Sequence, residues 1–137
     1  MAPYRILLAD DDPQIRAFLQ AILTARNYLV DQATDGIDAL DMLRKSGGAV
    51  DLLITDIKMP RMDGFEVLEW IRRQPGLETL RVIVLTASTQ MRDVNCAYRL
   101  GANSFMVKPM DFEDIVHLGK TLTTYWLKLS KTPEISR

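Results

Sequence analysis

The chain has 137 residues, 47% apolar and 26% charged, enough for one domain that buries roughly two-thirds of its unfolded surface. Seventeen Lys and Arg against 18 Asp and Glu leave a formal charge of -1, so no overall basic field draws it to nucleic acid or anionic lipid. One Cys and one His exclude an internal disulfide and argue against a Cys/His zinc site, and no apolar run approaches the roughly 18 residues of a membrane span. The start, Met1 to Ile6, runs straight into apolar sequence without a signal-peptide layout, so the expected location is the cytoplasm.

Short apolar runs at Ile6 to Ala9, Leu52 to Ile54, Val82 to Leu85 and Phe105 to Val107 are too short for helices and predict strands buried on both faces. Tyr28 to Ala33 mixes Leu29 and Val30 with Asp31 and Gln32, which predicts an edge strand. Between them, Ile15, Phe18, Leu19, Ile22 and Leu23, then Phe65, Val67, Leu68 and Ile71, recur at helical spacing. Asp12-Pro13 supplies a capping carboxylate before a proline suited to the first helical position, and Asp63 with Glu66 resembles a capping box. Cys96 is expected as a small core residue. Five strands alternating with five helices predict a parallel sheet covered on both faces, in a single domain.

Ligands of such sheets bind where the loops converge, outside the carboxyl ends of the strands. There the sequence places Asp10-Asp11-Asp12, Asp56, Thr86-Ala87-Ser88 and Lys108-Pro109. Any one of these acids alone reads more readily as a helix cap or loop residue. Together they imply a cation, because two like charges about 4 Å apart cost on the order of 4 kcal/mol at an effective dielectric of about 20. Hard carboxylate oxygens suit Mg²⁺, which keeps several waters and pairs with phosphate oxygens, and a lysine then serves as a phosphate-binding charge.

The run from Ile6 to Pro13, the stretch Thr55-Asp56-Ile57-Lys58-Met59-Pro60-Arg61-Met62-Asp63-Gly64, Leu85-Thr86-Ala87, and Gly101-Ala102 leading to Lys108-Pro109 resemble the receiver domain of bacterial two-component response regulators, of the chemotaxis-regulator type. Four motifs in order, covering Tyr4 through the last helix, make the likeness specific. It implies a flavodoxin-like, doubly wound sheet of order 2-1-3-4-5. It also implies that Asp56 is the phosphoacceptor, that Asp11 ligates Mg²⁺ directly with Asp10 beside it, that the Lys58 carbonyl completes the protein's ligands, and that Lys108 holds a phosphoryl oxygen. The Lys108–Pro109 bond is expected to be cis.

Thr86 and Phe105 match the family's switch pair, the hydroxyl moving toward the phosphoryl group and the ring following. On residue chemistry alone, Thr86 reads equally as a strand-end hydroxyl on backbone and Phe105 as ordinary strand packing. Asp12 reads as a cap rather than a ligand. Met59, Pro60 and Met62 are expected to shape the acceptor loop, and Gly36, Gly64 and Gly101 to serve turns or helix ends. His117 belongs to the last helix, away from these loops, and takes no role. The Lys58 side chain either screens the phosphoryl group and slows its hydrolysis or is a solvated loop lysine.

Tyr125, Trp126, Leu127 and Leu129 spread apolar groups around the end of the last helix, which suggests a homodimer or partner interface. This ending also resembles stand-alone regulators that work with phytochrome-type histidine kinases. The expected organisation is a receiver over 1–130 and a short tail over 131–137 with no output domain. The resulting reading is a signalling module, not a turnover enzyme, phosphorylated by a sensor histidine kinase or a histidine phosphotransfer protein, without nucleic acid or membrane partners. Two rivals are a constitutive interaction domain and a Mg²⁺-dependent phosphatase using Asp10 and Asp12; for the latter, Pro13-Gln14 stand where its motif wants Gly-Thr.

Overall fold

Each predicted strand forms within one residue of the apolar run that marks it. The computed structural model describes residues 4–109 and 111–124. In chain order these give β1 (Arg5–Ala9), α1 (Pro13–Thr24), β2 (Leu29–Ala33), α2 (Gly36–Ser46), β3 (Leu52–Thr55), α3 (Gly64–Arg73), β4 (Arg81–Thr86), α4 (Met91–Arg99), β5 (Ser104–Val107) and α5 (Phe112–Thr124). The strands are all parallel, in the order β2-β1-β3-β4-β5. The chain therefore runs outward from β1 to β2 and returns past β1 to β3, leaving a switch point between β1 and β3.

Alternation along each central strand explains why its run is continuously apolar. Leu7, Ala9, Leu53, Val82 and Val84 pack on one face with residues of α2, α3 and α4, whereas Ile6, Leu8, Leu52, Ile54, Ile83 and Leu85 pack on the other with α1 and α5. Both faces of β1, β3 and β4 are buried. β5 departs from the expected pattern: it is the second edge strand, its first three residues half-buried and Val107 exposed, because it has a strand neighbour on one side alone. Cys96 also differs from expectation, being half-buried while its neighbour Ala97 fills the core.

The caps form as the sequence signals them. The Asp12 carboxylate accepts from the Gln14 amide ahead of α1, and Asp63 and Glu66 close a reciprocal capping box at α3. A capping Asp35 at α2, which sequence reasoning did not single out, accepts from the Asp38 amide. At the far end of α3, the Arg72 guanidinium donates to the carbonyls of Gly101 (2.5 and 3.2 Å), Leu80 (2.7 Å) and Glu78 (3.1 Å). It thereby ties the α3–β4 connection to the one between α4 and β5. No described helix is long and apolar enough to cross a membrane.

Candidate functional site

The switch point sets the site, because each strand that flanks it is followed directly by an aspartate. The ladder continues one residue past each strand: the Asp10 amide donates to the Ala33 carbonyl and the Asp56 amide to that of Ala9. These bonds fix the backbones of Asp10 and Asp56 side by side, and both side chains are buried. With exposed Asp11 they form a group whose carboxylate oxygens lie within 4.8 Å of one another.

Lys108 reaches this group from the end of β5. Its ammonium donates to Asp56 Oδ2 at 2.6 Å and lies 2.8 Å from Asp10 Oδ2. The remaining oxygens are held by main chain, the Asp12 amide donating to Asp10 Oδ1 (2.9 Å) and the Ile57 amide to Asp56 Oδ1 (2.7 Å). Arg16 of α1, unremarked in the sequence, steadies the cluster from behind by donating to the Asp10 carbonyl at 2.6 Å.

The electrostatics follow from crowding acids in a shielded place. Burial pushes the Asp10 carboxyl above its ordinary value, and the nearby Asp56 charge adds to this, while the bonds from Lys108 and the Asp12 amide work against it. For Lys108, burial alone would lower the ammonium; its hydrogen bonds to Asp10 and Asp56 outweigh burial and hold it above the ordinary value. Two of the three acids share one lysine. That imbalance, with two acids buried and one at the mouth, suits a divalent cation with hard oxygen ligands.

The Lys108–Pro109 bond is trans, since no peptide bond among the described residues is cis, and this corrects the expectation of a cis bond. The Lys108 amide donates to the Thr86 carbonyl at 2.7 Å, and from there the side chain spans to Asp56.

Thr86 and Phe105 lie on the same face of the sheet, toward α4: Phe105 is in register with Val84, and Thr86 with Val107. Thr86 is buried, its hydroxyl accepting a long bond from the Ser88 amide (3.4 Å). Ser88 in turn donates to Asp93 of α4 at 2.5 Å. Phe105 is half-buried against the core, and its amide donates to the Tyr98 hydroxyl. Asp12, committed to its cap, stands outside the acid group; His117 is exposed on α5. Tyr125, Trp126, Leu127 and Leu129 lie outside the described residues.

The acceptor loop, residues 57–63, depends on two glycines, for a reason other than turn conformation. A Cβ on Gly64 would fall 2.0 Å from the Asp56 carbonyl oxygen, and one on Gly36 2.1 Å from that of Met62. The loop closes through the Gly64 amide donating to the Ile57 carbonyl, with Met59 and Met62, expected to shape it, packed on the core. Lys58 is exposed on it. Sequence reasoning missed a further contact: Arg61 makes a two-pronged bond to buried Asp35, at 2.9 and 3.0 Å. The guanidinium holds the Asp35 carboxyl below its ordinary value. An Asp-Gly pair opening a helix is the one sequence signal that pointed here.

A doubly wound sheet bearing an acid group and a lysine at its switch point is the arrangement expected of a receiver. Residues 6–119 match the response regulator receiver domain family, and the chain belongs to it. Among its relatives, the "Probable methanogenesis regulatory protein FilR2" of Methanothrix harundinacea is 36% identical over 140 aligned positions, which cover 96% of this chain and 88% of that protein. Two solved structures are similar over almost the whole chain. The Mn²⁺-bound response regulator Rcp1 is 27% identical with a TM-score of 0.87, covering 96% of this chain and 100% of that one. The phosphorylated cyanobacterial phytochrome response regulator RcpA is 27% identical with a TM-score of 0.89, covering 97% and 100%.

Proposed function

We propose that this receiver takes a phosphoryl group onto Asp56 from the phosphohistidine of a sensor histidine kinase or a histidine phosphotransfer protein, in a Mg²⁺-dependent reaction, and thereby switches protein contacts in the cytoplasm. The observation that carries the reading is Lys108 shared between Asp10 and Asp56, within an acid group that includes Asp11. A phosphorylated relative and a Mn²⁺-bound one give it further support.

In the step, an Asp56 carboxylate oxygen attacks phosphorus in line with the donor imidazole. The O–P bond forms as the P–N bond breaks, and the bond's electron pair leaves on the imidazole nitrogen, which is protonated from solvent. Asp10, Asp11, Asp56 and the Lys58 carbonyl would hold the divalent ion, which when bound offsets the carboxylate charge that would repel an incoming phosphoryl group. The Ile57 amide keeps one Asp56 oxygen oriented. Lys108 follows the charge from the carboxylate to a phosphoryl oxygen. Freed from its long bond to Ser88, the Thr86 hydroxyl turns to another phosphoryl oxygen, and Phe105 fills the space it leaves. The output is a population shift between two packings.

Intact-mass measurement after incubation with acetyl phosphate and Mg²⁺ tests this. Wild type should acquire one phosphoryl adduct and Asp56→Asn none; a folded wild type that never acquires it overturns the reading. Sizing of the same samples separates a switched module from a constitutive interaction domain, for which the adduct would change no contact. The phosphatase alternative is disfavoured by Asp12, whose carboxylate is spent on the α1 cap. Turnover of a small phosphate ester that survives Asp56→Asn and is lost in Asp10→Asn would restore it.

A further inference from the structure

The acceptor loop carries the Lys58 carbonyl but contributes no side chain to the acid group. Its shape is set by main-chain packing against Gly36 and Gly64, by the Asp63–Glu66 capping box at its end, by Met59 and Met62 on the core, and by a side-chain strut to α2, Arg61 to Asp35. Two observations single out that strut. Arg61 adopts φ 66°, a left-handed conformation that residues with a Cβ rarely take, and such a conformation persists when its surroundings over-determine it. Its partner is no ordinary surface acid: the Asp35 side chain is 10% exposed and is anchored as the cap of α2 by the Asp38 amide at 2.8 Å. The fork geometry of a guanidinium on one carboxylate fixes direction as well as distance.

We infer that Arg61 is a positioning residue for the metal site: its ion pair with Asp35 pins the left-handed turn of the acceptor loop against α2 and so holds the Lys58 carbonyl, three residues upstream, in place for a divalent cation. This rests on the proposed function for the identity of the site, and extends it to residues outside the acid group. Arg61 itself is largely solvated, so the pair adds little to global stability. Its effect is local. Groups that orient ligands from behind typically change metal affinity about tenfold or more when removed.

The test measures Mn²⁺ binding, from the electron paramagnetic resonance of the free ion, for wild type, Arg61→Ala, Arg61→Gly, Asp35→Asn and the double variant R61A/D35N. Amide exchange of residues 57–64 is followed in the metal-free proteins. Arg61→Ala and Arg61→Gly should each bind Mn²⁺ about tenfold more weakly and exchange these amides faster, with melting temperature nearly unchanged. Asp35→Asn, which keeps an oxygen for the cap, should match them, and the double variant should be no worse than either single one. Wild-type affinity and exchange in Arg61→Ala would overturn the inference. So would retained affinity in Arg61→Gly alone, which would make backbone strain rather than the ion pair the controlling feature, and so would additive losses in the double variant. The wild-type adduct from acetyl phosphate is measured alongside. Mn²⁺ binding without an adduct would fell the functional reading and leave the titrations to decide the role of Arg61; no Mn²⁺ binding by wild type would fell the inference.

Discussion

Two half-buried cations hold the two ends of the sheet, and they are built on opposite principles. Lys108, at the carboxyl end, faces two aspartates and lies beside a third. Arg72, at the other end, faces neutral main-chain carbonyls and the Asn103 side-chain oxygen, which in turn accepts from the Val82 amide. Burial lowers the arginine with nothing charged to offset it, whereas the acids around the lysine more than offset its burial. Arg72 closes a network of neutral acceptors and needs nothing further. Lys108 leaves an excess of negative charge, which a cation or a phosphoryl transfer can rearrange. The contrast separates a cation that holds the fold from one that belongs to the chemistry, although both are half-buried and both are hydrogen-bonded.

The largest effect should come from Arg72→Met, which removes the side-chain donor of the Leu80 and Gly101 carbonyls together. Its cost should be on the order of 3 kcal/mol in urea unfolding, and added Mg²⁺ should recover none of it. Lys108→Met should cost less than half as much, because the acids it abandons can take up a divalent ion, and Mg²⁺ should restore part of its stability while phosphoryl transfer stays impaired. Equal costs, or Mg²⁺ acting alike on both, would break the comparison.

A smaller effect distinguishes Asp35, an acid with its own private cation. Its folded carboxyl lies below the ordinary value of 3.8, so the stability it contributes is complete above that value and is lost as pH falls through the lower, folded one. Urea midpoints of wild type and Asp35→Asn should therefore differ by a small, constant offset above about pH 5 and converge in acid. A gap that widens with acid would contradict this sign. Smallest of all is Lys58→Asn. Exposed beside the acceptor, Lys58 should slow hydrolysis of the adduct by screening it, so the variant should lose its adduct a few-fold faster; an unchanged rate would make Lys58 a solvated loop lysine.

How far the chain could be read beforehand follows the same division. Strands and caps were legible because apolar runs and capping residues are local signals: Ile6 to Ala9, Asp12-Pro13 and Asp63 with Glu66 each fold as read. The acids and Lys108 were legible because parallel strands deliver their carboxyl ends to one place. Edge and centre were harder, since Phe105 to Val107 is as apolar as Val82 to Leu85 yet has a neighbour on one side alone. Arg61, Arg16 and Arg72 could not be read at all. Each acts by reaching an oxygen outside its own element, two of the three a main-chain carbonyl, and such contacts leave no periodic trace.

The abutment of Gly64 on the Asp56 carbonyl, with Gly36 answering it beneath Met62, carries a lesson for anyone wishing to transplant this centre onto another scaffold. Copying the acids and the lysine would be insufficient. Both bare α-carbons would have to travel with them, because any methyl at either point would lift the whole connecting segment away from the residue it is there to present.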